Sequence, residues 1–265
     1  MPKLSERLRA VADLVGEGRV LADVGTDHAY VPICLCQEGR IPRAIAMDLR
    51  RGPLERAEEH ILQYGMQTYI ETRLSDGVEA LAPGEADAIL IAGMGGGLVL
   101  HILENGQEVC RRAQELILQP QSELYRVRSY LKEHGYTVDA EEMVAEDGKY
   151  YPMMRVRWTG SGADTGKAAD APAADETGAR CADVYGDALR RDAELAYGAG
   201  LLARRHPVLG EYLERERKNL VQIEGALAAQ PQTGTVAGRR REIEYRLACN
   251  EAACSYYEHT YYARS

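Results

Sequence analysis

The chain has 265 residues, 45% of them hydrophobic, with 41 acidic against 32 basic side chains and a formal net charge of −9. That apolar fraction suffices for a globular core, while no apolar run approaches the roughly 18 residues a membrane span needs. The acidic balance argues against indiscriminate nucleic-acid binding, which requires phosphate neutralisation. The six cysteines (Cys34, Cys36, Cys110, Cys181, Cys249, Cys254) form no CxxC pair and no zinc spacing with histidine, so reduced thiols are expected and a metal site is not.

The N-terminal stretch MPKLSERLRAVADLV reads as an amphipathic helix with Leu4, Leu8, Val11 and Leu14 or Val15 on one face. Its charges interrupt any candidate signal-peptide core, which predicts a cytoplasmic protein without membrane attachment. Next, RVLADVGTDHAYVP (19–32) places a buried strand before a tight turn at Gly25, with a helix opening near Ala29 and reaching about Glu38. A second strand, RAIAMD (43–48), precedes a helix expected from Pro53, where proline suits a first turn, to a stop at Gly65. TYIETRLSDG gives a third strand ending at Asp76-Gly77, and the apolar ADAILIAG (86–93) a fourth of the kind buried on both faces. The glycines 95–97 lead into a helix containing LVLHILENG. ELILQP (115–120) is a fifth strand, QSELYRVRSYLKEHG a helix, and TVDAEEMVAEDGKYYPMMRVRW two strands around a turn at Asp147-Gly148. This alternation predicts an α/β fold: a mostly parallel, doubly wound sheet with an antiparallel edge.

Residues 161–180 are rich in Gly, Ala, Asp and Thr and read as a flexible linker between a domain at 1–160 and a helical one at 181–265. Beyond it, Leu213, Glu216, Leu220, Ile223 and Leu227 form one seam of alternating 3- and 4-residue steps. Ile243, Leu247, Asn250, Cys254, Tyr257 and Tyr261 form another, across the breaker AAQPQTGTVAG. The pattern predicts an antiparallel helical hairpin of coiled-coil type in which Glu216 and Asn250 are imperfect seam residues. Basic clusters contain Arg126, Arg215 and Lys218; any single cluster reads first as a solvated helix face paired with neighbouring glutamates.

The strand ends carry the chemistry. Asp23, Gly25, Asp27 and His28 follow the first strand, Asp48 ends the second, Asp76 and Gly77 the third, and Gly93-Met94-Gly95-Gly96 the fourth. Solvated structural acids have no reason to converge on one sheet edge. A pyrophosphate would need GxGxxG after the first strand; Gly25-Thr26-Asp27-His28-Ala29-Tyr30 has one glycine and an acid where phosphate would approach. A carboxylate there suits a sulfonium and an ammonium instead, and Asp48 is placed to accept hydrogen bonds from a ribose diol. S-adenosylmethionine carries all three groups, so a methyltransferase is favoured over a dehydrogenase.

LADVGTDHAYVP, AMD with RRGPLERA, RLSDG, ILIAGMGG, LILQPQSELYRVRSYL and EDGKYYPM together resemble the bacterial tRNA (adenine-22-N1)-methyltransferase family, from about Leu4 to Trp158 and more loosely into the helical segment. The resemblance implies a class I, S-adenosylmethionine-dependent, Rossmann-like domain and a C-terminal coiled-coil domain that engages tRNA. Two departures stand out: Asp48 where the family more often has Glu, and an unusually long linker.

Adenine N1 lies on the Watson–Crick edge, so the base must be unpaired or turned out to be reached, and its in-plane lone pair attacks the methyl without prior deprotonation. Methylation leaves a cationic adenine that a carboxylate stabilises. Asp27 is the first candidate and His28 the second. A helix N-cap is the competing reading for Asp27, and a helix-start residue bonding backbone for His28. Asp23, Gly25, Asp48, Asp76, Gly77, Gly93 and Met94 are the candidate cofactor contacts. Tyr30, Gly95 and Gly96, with the basic Arg126, Arg215 and Lys218, are the candidate substrate contacts. Core packing competes for Met94 and Tyr30, and His60, His101, His134, His206 and His259 read as partnerless and non-catalytic. The expected partner is tRNA, bound by a monomer. Rival readings are a methyltransferase acting on another RNA, a small molecule or a protein, and a non-catalytic S-adenosylmethionine-binding adaptor.

Overall fold

The computed structural model describes residues 1–160, 176–231 and 233–258, and the chain divides into two compact units, Met1–Gly166 and Lys167–Ser265.

The first unit opens with α1 (Glu6–Leu14), started by Ser5, whose hydroxyl accepts the Leu8 N–H at 3.3 Å. It continues through β1 (Val20–Val24), α2 (Tyr30–Gln37), β2 (Arg43–Asp48), α3 (Arg51–Gln63), β3 (Ile70–Leu74), β4 (Ala88–Met94), α4 (Gly96–Asn105) and α5 (Gln107–Arg112). β5 (Glu115–Pro120), α6 (Leu124–Glu133), β6 (Tyr136–Glu146) and β7 (Lys149–Trp158) complete it. The sheet order is β3-β2-β1-β4-β5-β7-β6. β1 to β5 run parallel, and β7 runs antiparallel to both β5 and β6. This is the predicted doubly wound sheet with an antiparallel edge.

Strand alternation divides the core in two. Ala22, Val24, Ile45, Met47, Ile89, Ile91, Leu116 and Leu118 face α4, α5 and α6, while Leu21, Ala44, Ala46, Leu90 and Ile117 face α1, α2 and α3. The central strands are therefore apolar on both faces, as helix-covered parallel strands must be. Strand order reverses between β1 and β4, which opens a crevice at their carboxyl ends.

The boundaries depart from expectation in three places. α3 starts at Arg51, two residues before Pro53; the proline ring still lies in the first turn, where no intrahelical N–H is required. β3 ends at Leu74, leaving Asp76 and Gly77 in the following turn. α5 was not anticipated. Gly106 caps the end of α4, and a Cβ there would lie 2.1 Å from Val78 Cγ2. Its smallness serves close packing, and the chain turns into another short helix.

The second unit contains α7 (Glu176–Tyr197, kinked at Gly186, φ 71°), α8 (Ala199–Ala203), α9 (Pro207–Ala228) and α10 (Gly234–Glu258). The expected linker lies outside the described residues up to 175, and its last five positions, 176–180, are helical instead. His259 and Tyr261 lie outside the described residues. α9 and α10 run antiparallel: Asn250 Nδ2 donates to the Leu213 carbonyl at 3.1 Å, Arg246 pairs with Glu216, and Arg240 with Glu224. α10 also packs against α7, so the predicted two-helix seam is part of a three-helix arrangement. Its buried face accordingly widens to Ile243, Cys249, Asn250, Ala252 and Ala253, while Ile223 is exposed. The two imperfect seam residues meet, Asn250 Nδ2 donating to Glu216 Oε2 at 3.3 Å, and Glu216 also accepts the Tyr197 hydroxyl at 2.7 Å.

In the first unit Arg128 and Glu141 are both buried, with Arg128 Nε and Nη2 at 3.1 and 3.0 Å from Glu141 Oε1. Arg128→Ala strands a buried carboxylate and is expected to cost about 3–5 kcal/mol in urea denaturation, whereas Arg128→Met with Glu141→Leu should recover most of it. A single-variant loss under about 1 kcal/mol would show that the pair is effectively solvated.

Candidate active site

The carboxyl ends of β1, β2 and β4 lie side by side, with Asp23 in register with Ala46 on one side and Leu90 on the other. Alternation puts the Asp23 side chain on the α1–α3 face. Burial pushes its carboxyl up to about 6, and the Asp48 charge adds to the rise while a hydrogen bond with Thr26 opposes it. Its anion is thus held at a cost relative to a solvated aspartate, and a cation placed beside it would offset that cost.

The turn after β1 is built on backbone bonds. Gly25 (φ 77°) and Thr26 each donate an N–H to the Met47 carbonyl at 2.8 Å, folding the turn toward β2. Thr26 is buried and its Oγ1 accepts the Ala29 N–H at 3.2 Å. The helix start thus uses Thr26, not Asp27, which removes the N-cap reading of Asp27. Ala29, the N-cap of α2, has φ 53°, left-handed for a residue with a Cβ.

Asp27 instead points outward and pairs with Arg56 of α3, through Nε at 3.1 Å and also Nη2, and with His28 Nε2 at 3.2 Å. The Arg56 hydrogen bonds hold its carboxyl below the usual range. It is an ionised, weakly basic group at neutral pH, suited to stabilising positive charge. His28 stacks on Tyr30, ring centroids 5.1 Å apart and 13° between planes. His60 completes the cluster at 5.1 Å from His28 and 4.9 Å from Tyr30, with Nε2 3.4 Å from the Tyr30 hydroxyl. The expectation that His60 is partnerless is thus corrected; α3 delivers both His60 and Arg56 to the β1 turn. His101, bonded to Asn105 at 3.0 Å, and His134, stacked on Tyr130 at 3.8 Å, have partners on their own helices.

Asp48 is buried and its Oδ1 accepts the Arg50 N–H at 2.8 Å, while Oδ2 has no protein partner among the described residues. Asp76 is exposed, and its turn abuts α4: a Cβ on Gly77 would lie 3.0 Å from Ile102 Cγ1. A shallow depression lies there, with Asp76, Gly77, His101 and Asn105 among its walls.

The β4 turn divides its small residues between two jobs. Gly93 (φ 76°) donates its N–H to Gln119 Oε1 at 3.2 Å. Met94 packs partly against the core and also covers the β1 turn: its Cε lies 2.1 Å from where a Gly25 Cβ would be. Gly95 caps α4 with only the Ser122 hydroxyl nearby, at 3.4 Å from a Cβ position. Gly96 is buried, and a Cβ on it would lie 2.3 Å from the Ser122 carbonyl oxygen. Its smallness is used by the protein's own packing. Arg126 is exposed and paired with Glu123, while Arg215 and Lys218 lie exposed on α9 in the second unit.

Sequence reasoning did not assign three residues that meet beside Gly93. Arg7 of α1 donates from Nη1 to Gln119 Oε1 at 3.0 Å, and its guanidinium lies over the Tyr151 ring, 5.4 Å from the centroid. The available signal was an amide, Gln119, at the buried end of the otherwise apolar LILQP strand. Among the described residues no three His, Cys, Asp or Glu side chains cluster as metal ligands, and no helix is long and apolar enough to cross a membrane.

Comparison with known proteins places this geometry. The methyltransferase domain family matches residues 4–154. The tRNA (adenine(22)-N(1))-methyltransferase of Bacillus subtilis is 40% identical over 152 residues, which span 57% of this chain and 64% of that protein's length. The crystal structure of the B. subtilis m1A22 tRNA methyltransferase TrmK superposes with a TM-score of 0.78 at 28% identity, covering 95% of this chain and 98% of that one. Streptococcus pneumoniae Sp1610, solved in complex with S-adenosyl-L-methionine, gives 0.75 at 28% identity, covering 95% and 99%. With the family's match spanning more than half of its residues and its sheet, the chain belongs to the methyltransferase domain family.

Proposed function

We propose that this protein transfers the methyl group of S-adenosylmethionine to N1 of adenine 22 in tRNA. The observation that carries the reading is the pairing of a buried acidic rim, Asp23 beside Asp48, with 40% identity over 152 residues to an enzyme of that name.

The donor supplies an electrophilic methyl on a cationic sulfonium. On this reading Asp23 pairs with its ammonium, and Gly25 lets the chain pass close by. Asp48, with Oδ2 unengaged, accepts from the ribose hydroxyls. Asp76 and Gly77 border the adenine, and Gly93 and Met94 close the side toward β4. Tyr30, Gly95 and Gly96 border the target base. Asp27, ionised and held by Arg56, faces the positive charge that develops on the methylated ring, and His28 beside it is the alternative group to take up an N6 proton. Residues 1–160 carry the chemistry, while 181–265, with Arg215 and Lys218, engage the tRNA together with Arg126 of the first unit. A cytoplasmic monomer needing no metal or membrane completes the proposal.

The direct test incubates the protein with labelled donor and unmodified tRNA and maps the product. Label at N1 of adenine 22 is expected; transfer elsewhere, or none, refutes the reading.

Donor affinity, measured by calorimetry, should fall as pH drops through about 6, because the ammonium needs the Asp23 carboxylate ionised. Without donor the sign reverses. The raised folded pKa means that stability is greatest below the unfolded carboxyl value and declines as pH rises through about 6. Asp23→Asn should flatten both profiles and weaken donor binding at pH 7.5 by about 30-fold or more, the lower bound for losing one partner of a buried charge pair. A profile that keeps its inflection in the variant would assign the titration to another group.

Asp27→Asn should lower kcat by about 100-fold while changing donor affinity less than threefold, the pattern for a group acting on the transition state. Equal losses in both would make it a binding residue.

A further inference from the structure

Arg7 is a half-buried cation at the carboxyl rim whose surroundings the reaction does not explain. Its guanidinium has no carboxylate partner among the described residues: Nη1 bonds the neutral Gln119 amide at 3.0 Å, and the plane rests over Tyr151. Glu146 lies near but accepts the Arg7 backbone N–H, at 3.3 Å, not the side chain. The nearest feature of the proposed catalytic rim is Gly93, where a Cβ would lie 3.9 Å from Arg7 Nη1. Gln119 is fully buried, and its Oε1 is shared between Arg7 and the Gly93 N–H. Its Nε2 is buried without any hydrogen-bond partner. The Gln119 amide thus gives its oxygen to Arg7 and Gly93 and fixes the guanidinium beside the β4 turn, with no acid to neutralise it among the described residues.

We propose that Arg7, held by Gln119 and Tyr151, is the phosphate-binding residue that positions the target nucleotide over the β4 turn. This rests on the reading of the protein as a tRNA methyltransferase. The chemistry selects the ligand. A cation is a poor neighbour for a sulfonium and for a base that gains positive charge, so it has no use against the adenine ring. A phosphodiester oxygen suits the planar fork of a guanidinium and is present on every nucleotide turned out of a helix. Stacking on Tyr151 and the bond to Gln119 leave Arg7 little conformational freedom to lose on binding. That arrangement makes it a positioning residue for the substrate chain, distinct from Asp27 and His28 at the reacting atoms.

The test measures binding of unmodified tRNA by fluorescence anisotropy across a salt series, with calorimetric donor affinity as the control for an intact fold. Arg7→Gln should weaken tRNA binding several-fold and reduce the slope of log affinity against log salt by about 1, the signature of one lost phosphate contact. Arg7→Lys should restore the slope but only part of the affinity, because the charge returns without the fork. Donor affinity should be unchanged in both. An Arg7→Gln slope equal to that of the unaltered protein overturns the inference, as does an equal loss of donor affinity. Should Arg7→Gln fail to fold, Arg7→Lys decides: affinity equal to the unaltered protein at every salt concentration overturns it. The mapping of the methylated nucleotide is a separate readout, so a wrong target position sinks the functional reading while the binding comparison still decides the role of Arg7. Absence of any tRNA binding by the unaltered protein overturns both.

Discussion

The site is organised by the cost of placing a carboxyl group at the dry end of a central strand. Asp23 has apolar strands on both sides and Asp48 nearby, and burial alone lifts its proton affinity well above that of a solvated aspartate. Such a group is held at a free-energy penalty that a cationic ligand offsets. The single glycine in the β1 turn, where a pyrophosphate cradle would need more, agrees with a sulfonium and ammonium donor better than with a dinucleotide. The parallel order with β1 at its centre creates the place, since only there do the strand ends diverge.

Around that centre the two turns that matter are supported by different helices of the same sheet face. The β1 turn is braced by α3 through Arg56 and His60, which hold Asp27 and the His28–Tyr30 stack. The β4 turn is braced by the β5 end and by α1, through Gln119 and Arg7. Met94 spans the gap between the turns. Asp27 and Gly93 therefore have their positions set by side chains distant in sequence.

That division explains what the sequence disclosed. Strand positions were legible because burial on both faces forces continuous apolar runs, and RAIAMD and ELILQP were bounded to the residue. Acids at strand ends were legible because the register of a parallel sheet brings its carboxyl ends to one edge. Arg56, His60 and Arg7 were not, since helix surfaces are expected to carry charge and nothing local separates a bracing arginine from a solvated one. The third helix of the second unit was hidden because a two-faced helix dilutes the heptad pattern that a single partner would sharpen.

The polar knot in that second unit has a mechanical corollary. An all-leucine seam lets neighbouring helices slide by a turn at little cost, whereas Asn250 locked to the Leu213 carbonyl and to Glu216 admits one alignment. With sliding forbidden, side chains on the outer surfaces of α9 and α10 keep fixed distances from one another, about 1.5 Å of axial rise per intervening residue. The pair is thereby a ruler: the spacing of its surface charges is written into the molecule itself.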